Sequence, residues 1–180
     1  MIVLGIDPGS RRCGYGVVAR EGGRLRIVSS GVLAPAAPAI ADRLAHILDG
    51  LDEVIRATRP AEVSVEQVFA GVSPRSALVL GQARGVALAA AARAGLPVFE
   101  YQPSEVKLAF TGSGRASKEQ MVRTARALLG LEAELADEAD AVALAVCHLA
   151  RRTARVALAR APGDALSRLR PSRRDHRSAP

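Results

Sequence analysis

The sequence predicts a single α/β domain built on a mixed sheet. Three observations carry this. Apolar segments joined by tight turns come first, helix-period segments and short strands then alternate, and the composition suits a sizeable core. Apolar residues make up 49% of the 180 residues and aromatics only 3%, so that core is aliphatic and alanine-rich.

Residues 2–6, IVLGI, form an uninterrupted apolar run that reads as a buried strand. Residues 15–18 read as a second strand, Glu21-Gly22-Gly23 as a hairpin turn, and residues 25–33 as a third strand. APAAPA at 34–39 is a connector. Ile40, Leu44, Ile47, Leu48, Leu51, Val54 and Ile55 then recur at helical spacing, and Pro60 stops that helix. Residues 62–65, EVSV, form a short strand that ends on Glu66. A long helix over 75–94 is closed by Gly95 at C′, and residues 97–101 form the fifth strand. A short helix over 103–110 and a Gly/Ser loop follow. Ser117 then caps a helix reaching about Leu129, with Gln120 completing a capping box. The last helix starts near Asp137 and runs through AVALAVCHLA. These elements make a mixed five-stranded sheet flanked by helices, in one domain over residues 1–160. Residues 161–180 have no apolar period and read as a basic, disordered tail.

The net charge of +7 is uneven. Nine arginines against Asp164 and Asp175 fall from Arg151 onward, whereas residues 1–150 balance 16 basic with 16 acidic side chains. A basic arm on a neutral body points to a polyanion partner, although a solvated tail would carry the same charge. No apolar run reaches the ~18 residues of a membrane span, and no leader is apparent. Cys13 and Cys147 stand apart, without metal or redox spacing, and read as buried thiols. The expected location is the cytoplasm, with no membrane partner.

Four carboxylates can meet in this order of elements. Asp7 ends the first strand and Glu66 the fourth, and open α/β sheets place ligands at the carboxyl ends of parallel strands. Asp137 and Asp140, at i and i+3 of the last helix, share a face from which Glu138 is offset. Each acid also has a plain structural role: Asp7-Pro8-Gly9 suits a tight turn, Glu66 an exposed strand end, and acids in a first turn complement the helix dipole. Together, though, converging carboxylates repel one another unless a cation joins them, and all-oxygen ligands suit Mg²⁺ or Mn²⁺. Two such ions ~3.5–4 Å apart would clamp the attacking and leaving oxygens of a phosphodiester.

GIDPGSRRCGYGVV, VEQVF (65–69), SALVLGQARG (76–85), PVFEYQPSEVK (97–107) and ADEADAVALA (136–145) together resemble the RuvC family of Holliday-junction resolvases, in the family's order. The resemblance covers about residues 1–150. It implies a ribonuclease H-like fold and a homodimer that makes paired symmetric nicks in a four-way DNA junction, in recombination and repair, using Mg²⁺, with Mn²⁺ as a substitute. It also implies a branch-migration helicase complex as partner. The family's catalytic, metal-binding acids fall on Asp7, Glu66, Asp137 and Asp140. Its base-contacting aromatic falls on Phe69, and its DNA-contacting lysines on Lys107 and Lys118. The chain has 23 arginines and two lysines, and the lysines stand at those two positions. It departs from the family at Ser73-Pro74, where many relatives carry an asparagine. In the helix over 75–94, Gly81, Gly85 and Ala89 form a small-residue face that the resemblance assigns to the dimer.

Rival readings are an actin- or sugar-kinase-like ATPase, a non-catalytic junction-binding protein, and a resolvase-like enzyme that acts on RNA or has no junction preference. The first also opens with a strand and Asp-x-Gly. It needs two such domains and a second phosphate loop, for which this chain is too short.

Overall fold

The computed structural model describes residues 1–67, 73–131 and 136–160, with side chains up to 156. Five strands, β1 (Ile2–Asp7), β2 (Cys13–Glu21), β3 (Arg24–Leu33), β4 (Glu62–Glu66) and β5 (Val98–Tyr101), form one sheet in the order β3-β2-β1-β4-β5. β1, β2 and β3 pair antiparallel, whereas β1, β4 and β5 run parallel. Alternation along β1 distributes its side chains to both faces. Leu4 and Ile6 join a core with Ile47, Leu51 and Ile55 of α1 (Ile40–Thr58) and Ala87, Ala90 and Ala91 of α2 (Pro74–Arg93). Val3 joins the opposite core, with residues of α3 (Pro103–Thr111), α4 (Lys118–Leu129) and α5 (Ala136–Arg160).

α5 lies directly on β1 and β2 because glycine removes the side chains between them. A Cβ on Gly5 would stand 2.0 Å from the Ala141 carbonyl oxygen, and one on Gly14 would stand 2.0 Å from that of Asp137. Both obstacles are backbone, which cannot yield as a side-chain tip can. Gly14 is also the cross-strand partner of Asp7. The seat of α5 therefore sets its first turn over the end of β1.

β2 extends beyond the expected 15–18 because its whole length pairs with β3, from Cys13↔Leu33 to Glu21↔Arg24, with a register shift at Val17/Val18. α2 begins at Pro74: Ser73 Oγ accepts a hydrogen bond from the Ser76 amide at 3.2 Å, and Pro74 fills the first helical position. The Ser73-Pro74 pair thus has a local role as a helix start. The capping box at Ser117 and Gln120 forms as read, with the Ser117 amide donating to Gln120 Oε1 at 2.8 Å. Phe69 and the tail over 161–180 lie outside the described residues.

Candidate active site

Asp7 and Glu66 end neighbouring parallel strands, with Ile6 paired to Val65 in the preceding register. Both carboxylates therefore emerge at the carboxyl edge of the sheet. There they line a pocket of about 50 Å³ with Lys107 of α3 and Asp140 of α5, and Val106, Met121 and Leu144 form apolar walls. A space of that size accommodates ions and a few waters. Lys118, the first residue of α4, is near enough for its charge to act on Asp7, Glu66 and Asp140. Asp137 does not line this pocket: its carboxylate meets Arg12 Nε at 3.3 Å in a neighbouring groove, near enough for its charge to act on Asp7. Glu138 turns toward β3 and accepts a hydrogen bond from Ser30 Oγ at 2.7 Å.

The electrostatics follow from that crowding. Burial, and then the charges of Glu66, Asp140 and Asp137, push the Asp7 carboxyl up from 3.8 to about 7, while Lys118 pulls the other way. Glu66 is raised by burial and by Asp140, against the pull of Lys107 and Lys118. Asp140 is raised by burial and by Asp137, opposed by the same two lysines. Desolvation and like charge both disfavour ionised carboxylates here.

A divalent cation would reverse that frustration, and the donors present are the hard oxygens that Mg²⁺ and Mn²⁺ take. Among the described residues, no three His, Cys, Asp or Glu side chains are placed together closely enough to hold a metal ion by themselves. The chemistry of the carboxylate donors suits Mg²⁺, which commonly takes water and substrate oxygens to complete its shell. Asp7, Glu66 and Asp140 are the residues that could hold such an ion, with Asp137 adjacent.

A family model described as crossover junction endodeoxyribonuclease RuvC matches residues 3–148. The chain belongs to the RuvC family. A RuvC crossover junction endodeoxyribonuclease from Anaeromyxobacter dehalogenans is 71% identical over 185 aligned residues, covering 100% of both chains. One from Bordetella pertussis is 51% identical over 150 residues, covering 82% of each. Thermus thermophilus RuvC, solved in complex with a Holliday junction substrate, superimposes with a TM-score of 0.77 at 37% identity, over 85% of this chain and 96% of that one. The yeast mitochondrial Holliday junction resolvase shares the fold at 15% identity, with a TM-score of 0.63, 88% of this chain and 82% of that one being covered. The fold is accordingly the ribonuclease H-like α/β fold of RuvC, with its mixed five-stranded sheet.

Sequence reasoning missed the arginines around this RuvC site. Arg43 of α1 donates to the carbonyls of Ser10 (3.1 Å), Ala37 (3.2 Å) and Pro38 (2.6 Å), which pins the loop that follows Asp7. Arg11, Arg12 and Arg75 line a second groove, of about 460 Å³, with Asp137 on its edge. Their only signal in the sequence is charge, which single arginines share with the rest of an arginine-rich chain. Cys13 and Cys147 are buried, and burial pushes the Cys13 thiol up to about 12, so both thiols are protonated packing groups.

Proposed function

We propose that this chain is a structure-selective endodeoxyribonuclease that resolves four-way DNA junctions by paired symmetric nicks, in recombination and repair. Family membership gives the substrate class. The observation that carries the chemistry is the meeting of Asp7, Glu66 and Asp140 with Lys107 in one small pocket at the carboxyl edge of the sheet. Asp7, Glu66, Asp137 and Asp140 are the proposed catalytic and metal-holding acids. Mg²⁺, two ions per site with Mn²⁺ as a substitute, would supply charge stabilisation at the scissile phosphate and a more acidic attacking water. The carboxylates hold and orient that charge. Lys107 and Lys118 bring two positive groups to the same mouth, where they attract and align the phosphate. The apolar walls from Val106, Met121 and Leu144 limit the water admitted beside it.

Two symmetric nicks call for two active sites related by a two-fold axis, so the acting form is a homodimer. Phe69 is the proposed base-contacting aromatic, a branch-migration helicase complex the proposed partner, and the cytoplasm the location. Among the described residues no helix is long and apolar enough to cross a membrane. The test is incubation of the purified protein with a synthetic four-way junction and a matching duplex, in Mg²⁺, Mn²⁺ or EDTA. Paired nicks in the junction alone, abolished by EDTA, are expected. Cleavage of both substrates alike would refute junction selectivity, and cleavage in EDTA would refute the metal site.

A further inference from the structure

Among the described residues, Asp137 differs from its three companions in forming an ion pair. Its carboxylate pairs with Arg12 Nε at 3.3 Å, and the two side chains are 25% and 56% exposed. Both residues line the groove that Arg11, Arg75 and Ser76 share, and the Asp137 charge reaches Asp7 and Asp140 in the carboxylate pocket. Both backbones are held. Arg43 grips the Ser10 carbonyl, the Arg12 carbonyl folds over Gly9 so closely that a Cβ there would lie 2.2 Å from it, and Gly14 seats the Asp137 carbonyl. The arginine side chain between those fixed points is exposed and long enough to swing.

We propose that Arg12 is a latch on Asp137. It holds this carboxylate while metal and DNA are absent, and gives it up when a cation enters the pocket and a phosphodiester enters the groove. This rests on the reading of Asp137 as a metal-holding acid. A guanidinium and a divalent cation on one carboxylate repel each other, so the two compete for Asp137. An ion pair this exposed is weak enough to exchange. The released guanidinium already borders a groove with two further arginines, and a phosphodiester offers its planar fork a two-point partner, whereas the pair with Asp137 is made through Nε at 3.3 Å. Metal binding and DNA binding are thereby linked, each favouring the other through one side chain. Arg12 is a positioning residue, since it acts through Asp137 and the DNA backbone.

The test uses the full chain, with Mn²⁺ alone as the metal probe and a junction in Ca²⁺ or EDTA as the DNA probe. Arg12→Gln is exposed and its folding is checked by circular dichroism. It is expected to bind Mn²⁺ roughly two- to fivefold more tightly than the unmodified chain by calorimetry without DNA. Arg11→Gln removes the same charge from the same loop without touching Asp137, and should change Mn²⁺ affinity less. The gain in junction affinity from EDTA to Ca²⁺ should shrink in Arg12→Gln. Arg12→Lys should restore part of it, since lysine keeps the charge without the fork. If Arg12→Gln binds Mn²⁺ no better than the unmodified chain or than Arg11→Gln, the latch is refuted. Asp137→Asn separates the two levels. Weaker Mn²⁺ binding in that variant with no effect of Arg12→Gln overturns the latch alone, whereas unchanged Mn²⁺ binding overturns the role of Asp137 beneath it.

Discussion

Asp140 and Glu138 are two positions apart in the first turns of α5, yet one faces the pocket with Asp7 and Glu66 and the other bonds to Ser30 on β3. Substituting each by its amide removes the same charge from nearly the same place. Asp140→Asn should lower single-turnover junction cleavage about a thousandfold or more, several kcal/mol of transition-state stabilisation, because a charged ligand is lost where charge develops. Binding of the junction should survive. Glu138→Gln keeps an oxygen for the Ser30 hydroxyl and should stay within a few-fold of the unmodified rate. Comparable losses in both would mean that the effect is general electrostatics rather than the pocket. The meeting of Asp7, Glu66 and Asp140 is legible in the sequence because each marks a boundary: two end strands and one lies in the first turns of a helix, and the order of elements brings those boundaries together. The partner of Asp137 is not legible. One exposed arginine among 23 has no period, spacing or flanking pattern that names its contact.

Elements are readable where local chemistry decides them. Periodicity marks α1, the Ser117–Gln120 box marks α4, and Gly95, at φ +68, closes α2. The seat of α5 is not readable, since it depends on backbone contacts between residues more than a hundred positions apart. Gly14 looks in the sequence like part of a glycine-scattered turn, but it stands inside β2 beneath the Asp137 carbonyl. Gly14→Ala therefore tests whether the helix must lie that close. The added carbon would stand 2.0 Å from the Asp137 carbonyl oxygen and 2.6 Å from its carbon, both backbone, so either the first turn of α5 lifts or β2 shifts. The expected destabilisation is about 1–3 kcal/mol by urea unfolding, the range for overfilled cores. Cleavage should fall further than stability explains, because Asp137 and Asp140 move away from Asp7. A variant with full activity and unchanged unfolding midpoint would contradict the packing described.

At the scale of the whole molecule, the carboxylate cluster should make stability depend on pH and on metal. The folded chain raises Asp7 from 3.8 to about 7, so it binds that proton more tightly than the unfolded chain does. The resulting stabilisation is complete below about pH 4 and is lost as pH rises through about 7; Glu66 and Asp140 act in the same direction. For Asp7 alone the effect amounts to at most about 4 kcal/mol. In EDTA, melting temperature should therefore fall between pH 5.5 and 8. Asp7→Asn should flatten that fall and melt higher than the unmodified chain at pH 8, and Mg²⁺ should restore the unmodified chain there. A fall of equal slope in Asp7→Asn would place the titration elsewhere.

Charge is distributed on this same scale, and it gives a test that separates holding DNA from cutting it. Residues 1–150 are net neutral, and five of the arginines, Arg168, Arg170, Arg173, Arg174 and Arg177, follow Pro162. Ending the chain at Pro162 leaves every residue of the carboxylate pocket in place. Removing one arginine from a DNA phosphate lowers the slope of log affinity against log salt by about 0.9. Five arginines can thus change that slope by up to about 4 to 5. The shortened chain should bind junction more weakly at low salt and converge on the full chain as salt rises, because screening weakens the arm's hold on phosphate until its presence no longer matters. At saturating protein, its cleavage rate should equal that of the full chain within about twofold. Titrations of a labelled junction at four salt concentrations, paired with single-turnover cleavage, measure both quantities on one substrate. An unchanged slope would show that the arm does not touch DNA. A slope that falls together with the saturated cleavage rate would instead make the arm part of the cutting machinery.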